Sequence, residues 1–214
     1  MSPIDYAVFL IAAFATISGF YIQGQEYIGS MVNGQLVQSS IIALISFILA
    51  YYEHSVDLLI LGILIAFLRG FLITYFLEKR VPGRMTYVYE SNVNVASLLL
   101  IDLAFIVVGV FIIYSLVFTS AHLITLFGPS SILVFPLSLF FQGLFLIGSR
   151  RSTFSQIIGY IEEENSLVLF AIFLVPVPII IEASVFLDVL ALVVISSILV
   201  IEKFRHYPME ELRG

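Results

Sequence analysis

Apolar segments long enough to cross a lipid bilayer recur along almost the whole chain. A membrane-spanning helix needs about 20 mostly apolar residues. The chain of 214 residues is 61% hydrophobic and only 11% charged, whereas a soluble domain is typically about 25% charged. We therefore predict an all-α polytopic bundle that forms a single membrane domain over residues 1–214. Seven transmembrane helices are expected, at about 6–22, 36–52, 58–78, 95–118, 130–148, 154–175 and 178–201.

Two features of this division bear on topology. The first two apolar segments are short, which leaves room for a tilted or half-inserted element. The last two are separated by Pro176-Val177-Pro178, which we interpret as a tight turn between two helices, because proline cannot continue a helix without a kink or break.

The basic residues predict the orientation in the membrane. Short loops rich in Lys and Arg stay on the cytoplasmic side, and with seven spans all the basic clusters of this chain fall on one side. The opposite loops at 53–57 and 120–131 contain no Lys or Arg. We therefore expect the N-terminus outside and the C-terminus inside a cell membrane. Eight of the nine basic residues lie in three places: Lys79, Arg80 and Arg84; Arg150 and Arg151; and Lys203, Arg205 and Arg213.

The composition also bears on cofactors. There are no cysteines, so thiolate metal sites and iron–sulfur clusters held by cysteine are excluded for this chain. The three histidines, His54, His122 and His206, are scattered over predicted helix ends and loops. We expect no bound metal or other cofactor and no nucleic-acid partner.

Ionisable residues inside the predicted spans are the strongest functional signal. A charged side chain at the bilayer centre costs roughly 2.5–3.5 kcal/mol on insertion scales, and such residues commonly mark ion pathways. We take seven of them as candidate members of a proton path: Arg69, Asp102, Glu162, Glu163, Glu164, Glu182 and Asp188.

Depth along the helices brings three of the carboxyls into a ladder. With a rise of 1.5 Å per residue, Glu164 and Asp188 each lie about 15 Å into adjacent antiparallel helices, and Glu182 lies about 9 Å further outward. Three consecutive glutamates sweep roughly 200° of a helix surface. At least one of Glu162, Glu163 and Glu164 must then face something other than its hairpin partner, and a neighbouring subunit or a hydrated cavity is less costly than lipid.

Several of these residues also have a structural alternative. If the sixth helix began later, the three glutamates would form a solvated helix N-terminus, which the helix dipole favours. Arg69 either extends its side chain to the interface or has a buried acidic partner, and its mid-helix position favours the partner. Asp102 fits a structural cap or loop contact as well as a functional role. Gln142 is typical of polar contacts that join transmembrane helices.

One stretch resembles the hydrogenase-4 component E family. Its members carry a Gln-Ile-x-Gly-Tyr segment leading into Glu-Asn, matched here within Ser149-Arg-Arg-Ser-Thr-Phe-Ser-Gln-Ile-Ile-Gly-Tyr-Ile-Glu-Glu-Glu-Asn165. The similarity continues through Val175-Pro-Val-Pro-Ile-Ile-Ile-Glu182 and Phe186-Leu-Asp188, so the region of resemblance is 149–200.

The same region also resembles the small three-helix K subunit (chain 4L) of complex I. Glu182-Ala-Ser-Val is similar to the glutamate and Ala-Ser-Ile of that subunit's third helix, whereas the glutamate of its second helix aligns with Ile161. The resemblance implies a non-redox membrane subunit of an energy-converting hydrogenase or complex I-like oxidoreductase. It would lie between antiporter-like subunits and the quinone- or hydrogenase-proximal module, contributing buried carboxylates to proton or sodium translocation.

Two other functions remain open at the level of sequence. One is a stand-alone cation or proton carrier in the lipid bilayer. The other is a purely structural membrane adaptor, whose carboxylates pair with Lys or Arg of a partner.

Overall fold

A computed structural model describes residues 3–80, 94–119, 130–150 and 152–174, and the regular structure of these ranges is helical, without a β-strand among them. Its elements in chain order are α1 (Pro3–Gln23), α2 (Ile28–Glu53), α3 (Val56–Leu64), a π-helical segment (Ile65–Ile73), α4 (Thr74–Arg80), α5 (Val95–Thr119), a 3₁₀ turn (Ser130–Leu133), α6 (Val134–Ser149) and α7 (Thr153–Leu174).

Several of these helices are those of a membrane protein. Within the described ranges, four are long and apolar enough to cross a bilayer: Pro3–Gln23, Ile28–Glu53, Val56–Lys79 and Val95–Ser115. The shorter α6 is also apolar. These helices and α7 coincide with the first six predicted spans, and the all-α prediction is confirmed. The seventh predicted span and the Pro176-Val177-Pro178 turn lie outside the described residues.

The start of α2 is where the sequence analysis was wrong. The predicted span began at residue 36, whereas the helix begins at Ile28 and runs for 26 residues. Polar side chains in its first half, such as Asn33 and Gln35, interrupt the apolar run that the prediction depended on. Since α1 has 21 residues, both helices are long enough to cross a bilayer.

A tight turn joins α2 to α3. His54 ends α2 in the left-handed region, at φ 51°. Ser55 then caps α3, because its hydroxyl accepts a hydrogen bond from the backbone N–H of Leu58 at 3.3 Å. A serine in this position satisfies one of the N–H groups that a helix start leaves open. The two helices therefore leave the turn antiparallel.

Helix α2 lies at the centre of the described bundle. It packs against α1, against the Val56–Lys79 helix and against α7, while α6 packs against α1, α5 and α7. The outward faces are apolar; on α5, for example, Leu100, Val107 and Phe111 are all exposed. Such a surface suits lipid, because a soluble protein rarely exposes apolar patches of this extent.

Two glycines let α6 and α7 approach backbone to backbone. A Cβ on Gly143 would lie 2.7 Å from the backbone nitrogen of Glu163 and 2.8 Å from the carbonyl oxygen of Gly159. A Cβ on Gly159 would lie 3.0 Å from the carbonyl oxygen of Gly143. Small residues at helix crossings are the usual device for close packing in membranes, and these contacts fix the separation of α6 and α7.

Gly143→Ala is therefore expected to destabilise the protein by about 1–3 kcal/mol, the typical cost of overpacking, because a methyl group fits only if one backbone moves. Thermal unfolding in detergent measures the effect. Gly148→Ala is the matched control on the same helix, since a Cβ there meets nothing within 4 Å. Equal melting temperatures for the two variants would contradict the close approach of α6 and α7.

Candidate functional site

Polar side chains from five helical segments meet inside the bundle and form what we call the buried polar network. Each is at most 1% exposed, although the surrounding helices are apolar. The network lies near the middle of α2, α6, α7 and the Val56–Lys79 helix and in the first half of α5. Its members are Gln35, Gln38, Ser39, Arg69, Asp102, Gln142, Glu162, Glu164 and Asn165.

Arg69 is completely buried in the middle of the π-helical segment. Its Nη1 donates a hydrogen bond to Oδ1 of Asn165 at 3.2 Å, and its Nη2 lies 3.8 Å from Oε2 of Glu164. The predicted acidic partner is therefore present, and a side chain extended to the interface is excluded by its burial. π-Helical stretches are rare and are found frequently at functional sites.

The three consecutive glutamates have three different surroundings. Glu164 faces Arg69, and its Oε2 lies 3.8 Å from the guanidinium. Glu162 faces α2 and α6, while Glu163 is only half-buried. Because α7 begins at Thr153, well before them, the solvated helix N-terminus considered for these residues is wrong.

Asn165 connects α7 to α2 and to Arg69. Its Nδ2 donates to Oε1 of Gln38 and to Oγ of Ser39, each at 3.0 Å, while its Oδ1 accepts from Arg69. An amide has two donor hydrogens and an acceptor oxygen. Asn165 uses all of these at once, so it is the residue that holds the two halves of the network together.

Gln38 continues the network to the second carboxyl. Its Nε2 donates to Oε1 of Glu162 at 3.2 Å. On the other side of Glu162 lies Gly19 of α1, where a Cβ would overlap Oε1 of Glu162 and Oε1 of Gln142 together. The missing side chain of Gly19 is thus the space into which both oxygens project.

Gln142 leads from this space to Asp102. Its Nε2 donates to Oδ2 of Asp102 at 3.1 Å. Asp102 is completely buried within α5, which excludes the cap or loop contact that was its alternative. Gln142 does join two helices, as its residue type predicts, because it hydrogen-bonds Asp102 of α5 from α6.

The polar residues of α2 were missed by the sequence analysis. Gln35 donates to Ser39 at 2.9 Å and accepts from Thr74 at 3.3 Å. Their spacing was the available signal: Gln35, Gln38 and Ser39 are three and four residues apart and share one helix face. The predicted span boundary at residue 36 cut across this pattern.

A second polar contact lies at the end of the bundle. Arg150 is buried, and its Nη2 donates to the carbonyl oxygen of Gln23 at 2.6 Å. Gln23 is the last residue of α1, where helical carbonyls have no partner within the helix and attract cations. This contact places the end of α1 beside the junction of α6 and α7.

Two of the predicted site residues cannot be placed in this network. Glu182 and Asp188 lie outside the described residues, so the predicted ladder from Glu164 to them stays a prediction. Within the described part of the chain, no three His, Asp or Glu side chains are grouped as metal ligands. Comparison with protein-family models, curated proteins and solved structures finds no match.

Proposed function

We propose that this chain is a multi-pass, non-redox subunit of an energy-converting hydrogenase or complex I-like oxidoreductase in the cell membrane. Its buried carboxyls would take part in translocating protons or sodium ions. The observation that carries the proposal is the buried polar network in the interior of apolar helices. Amide side chains connect Glu162 to the pair of Arg69 and Glu164, and a further amide binds Asp102 beside them. The resemblance of 149–200 to hydrogenase-4 component E and to the K subunit supports the choice of complex.

The chemistry of the network supports ion transfer over a purely structural role. Structural contacts between membrane helices are usually single hydroxyls or amides, whereas this network buries three carboxyls and one guanidinium. Each buried charge is costly, and intramembrane ionisable residues commonly mark ion paths. Carboxyls bind and release protons, and Glu162 is joined to Asn165 by a single amide, that of Gln38.

The proposed partners are antiporter-like subunits and the quinone- or hydrogenase-proximal subunit. Of the three consecutive glutamates in the middle of α7, Glu163 is half-buried and the most accessible to a neighbouring subunit. A stand-alone carrier would instead be stable without partners, and a structural adaptor would use its carboxyls only to pair with Lys or Arg of a partner. Purification in mild detergent, with identification of the co-purifying subunits, distinguishes a subunit of the complex from a stand-alone carrier.

Proton translocation should fall when the carboxyls become amides. We expect Glu162→Gln combined with Glu164→Gln to leave the complex assembled and to remove most of its proton translocation, because an amide of the same shape cannot exchange a proton. Pumping by inverted vesicles, normalised to assembled complex, measures this. Glu53→Gln, at the exposed end of α2 and outside the network, is the control. Full pumping by the double variant would favour the structural adaptor.

The resemblance adds Glu182 to this experiment. Glu182→Gln should also assemble and lower translocation, and Asp188 would be its neighbour along the predicted ladder. If protons and sodium ions are distinguished in the same vesicles, the assay also identifies the ion that moves.

The proposed topology has about seven helices, with the N-terminus outside and the C-terminus inside. Because the chain has no cysteine, single cysteines report sidedness directly. Gln25→Cys and Arg151→Cys should be labelled from the cytoplasmic side, since Arg150 binds the end of α1. His54→Cys, in the turn between α2 and α3, should be labelled from outside. Labelling of all three from one side would rule out this topology.

A further inference from the structure

The space beside Gly19 poses a hydrogen-bonding problem. Oε1 of Gln142 is buried and has no hydrogen-bond partner among the described residues. It projects into the same space as Oε1 of Glu162. Two oxygens that face one another repel unless one of them carries a hydrogen, because a carbonyl and an ionised carboxylate are both acceptors only.

The other end of the amide is already engaged. Nε2 of Gln142 donates to Oδ2 of Asp102, so it cannot also turn towards Glu162. Gln38 supplies one hydrogen bond to Glu162 from α2, but none of the described contacts supplies a donor to Gln142 Oε1. A proton on Glu162 supplies the missing donor most simply, because its O–H can then donate to Oε1 of Gln142.

The two ends of a glutamine amide have nearly the same shape. Rotation of the Gln142 amide by a half-turn would present its Nε2 to Glu162 and its Oε1 to Asp102. The same completion then requires a proton on Asp102, whose Oδ1 is likewise buried and without a partner among the described residues. In both arrangements the three residues hold one proton and one negative charge.

We propose that Asp102, Gln142 and Glu162 form a binding site for a single proton, which the two carboxyls share across the amide. Between the two arrangements one O–H bond on Glu162 is replaced by one O–H bond on Asp102, and nothing is oxidised or reduced. The proposal concerns whether a proton is bound at this site at equilibrium. It goes beyond the proposed function, because the site could hold its proton even if the chain transported no ions.

Infrared spectroscopy of the full-length protein, purified with its co-purifying subunits, counts this proton. A protonated carboxyl absorbs apart from a carboxylate, and its band shifts when H2O is replaced by D2O. The site band is the intensity that the parent protein has and the Asp102→Asn, Glu162→Gln double variant lacks. We expect it to equal one carboxyl group, and Glu163→Gln should leave it unchanged.

Isotopes test the sharing. Labelling with 13C-carboxyl aspartate should shift part of the site band, and labelling with 13C-carboxyl glutamate should shift the remainder. A band that shifts entirely with one label would fix the proton on that residue and overturn the sharing. An intensity of two carboxyls or of none would overturn the single proton, as would a band that vanishes when sodium is added, which would indicate a cation site.

Folding of the variants does not limit the test. If the double variant fails to accumulate, Glu162→Gln alone serves, because its amide Nε2 replaces the O–H as the donor to Gln142. It should lose the part of the site band that shifts with labelled glutamate, and persistence of that part would contradict the inference. Because occupancy is measured and not transport, failure here is distinct from failure of the proposed function.

Discussion

Arg69→Met is expected to remove most of the protein from the membrane. Taking away one member of a buried ion pair costs roughly 3–5 kcal/mol, because the remaining charge stays buried without its counterion. Here Glu164, which is 1% exposed, would lose the guanidinium that lies 3.8 Å away. Methionine keeps an unbranched apolar side chain of helical preference at this position, so lost charge and lost hydrogen bonds dominate the result. Immunoblots of washed membranes and thermal unfolding in detergent measure the loss.

A second substitution, at Glu164, tests whether the unpaired carboxylate causes the loss of stability. Glu164→Gln in the Arg69→Met background should restore part of the lost stability, because a neutral amide is less costly to bury than a carboxylate. Recovery stays partial because Arg69 also binds Asn165. Lys79→Met, which changes an exposed cation on the same helix, should shift stability by less than about 0.5 kcal/mol. If Glu164→Gln lowers the stability of the Arg69→Met variant further, the ion pair of Arg69 and Glu164 is not what stabilises the protein.

Asn165→Leu should have the second largest effect, on stability and on translocation together. Leucine is similar in size but can neither donate nor accept, so hydrogen bonds to Gln38, Ser39 and Arg69 are lost at once. A buried polar group left without its partner costs about 1–3 kcal/mol. Several such groups would be created inside one cluster. The link between Glu162 and Arg69 would also be interrupted, so we expect pumping per assembled complex to fall.

Ser166→Ala provides the comparison for that variant. Ser166 is buried on the same helix but bonds the carbonyl oxygen of Pro136 at 2.9 Å, outside the network. Its loss should cost about 1 kcal/mol, as for one ordinary hydrogen bond, with normal pumping per assembled complex. Equal losses of stability and of pumping in the two variants would show that Asn165 contributes to packing and not to the hydrogen-bonded link between Glu162 and Arg69.

The sequence predicts the helices and the buried charges for the same physical reason. Runs of apolar residues are visible without any tertiary information, and a charge within such a run is conspicuous. Arg69 was therefore expected to have an acidic partner, but six acidic candidates were available to it. Hydropathy cannot choose between Glu162 and Glu164. The choice depends on which face of α7 turns towards the π-helical segment, and no local pattern of residues 65–73 predicts that segment.

The amide members of the network could not be identified from the sequence. Gln38, Gln142 and Asn165 are uncharged and belong to residue types that often join membrane helices. Their partners lie 124, 40 and 127 residues away along the chain, so no spacing rule could pair them. Polar residues in α2 also made its first turns resemble a loop. They are tolerated inside the helix because α7 and the Val56–Lys79 helix supply their hydrogen-bond partners.

The lateral course of the network has an electrical consequence. Asp102 lies about 10 Å from the start of α5, and Asn165 about 18 Å from the start of α7. In the proposed topology both helices start at the cytoplasmic surface, and the network would then cover about 8 Å along the membrane normal. That is roughly a quarter of the 30 Å hydrocarbon layer. Moving one charge through the whole layer involves about 2.3 kcal/mol per 100 mV, and the share along this network is about 0.6 kcal/mol. Charge displaced between these helices thus does little work against the membrane voltage.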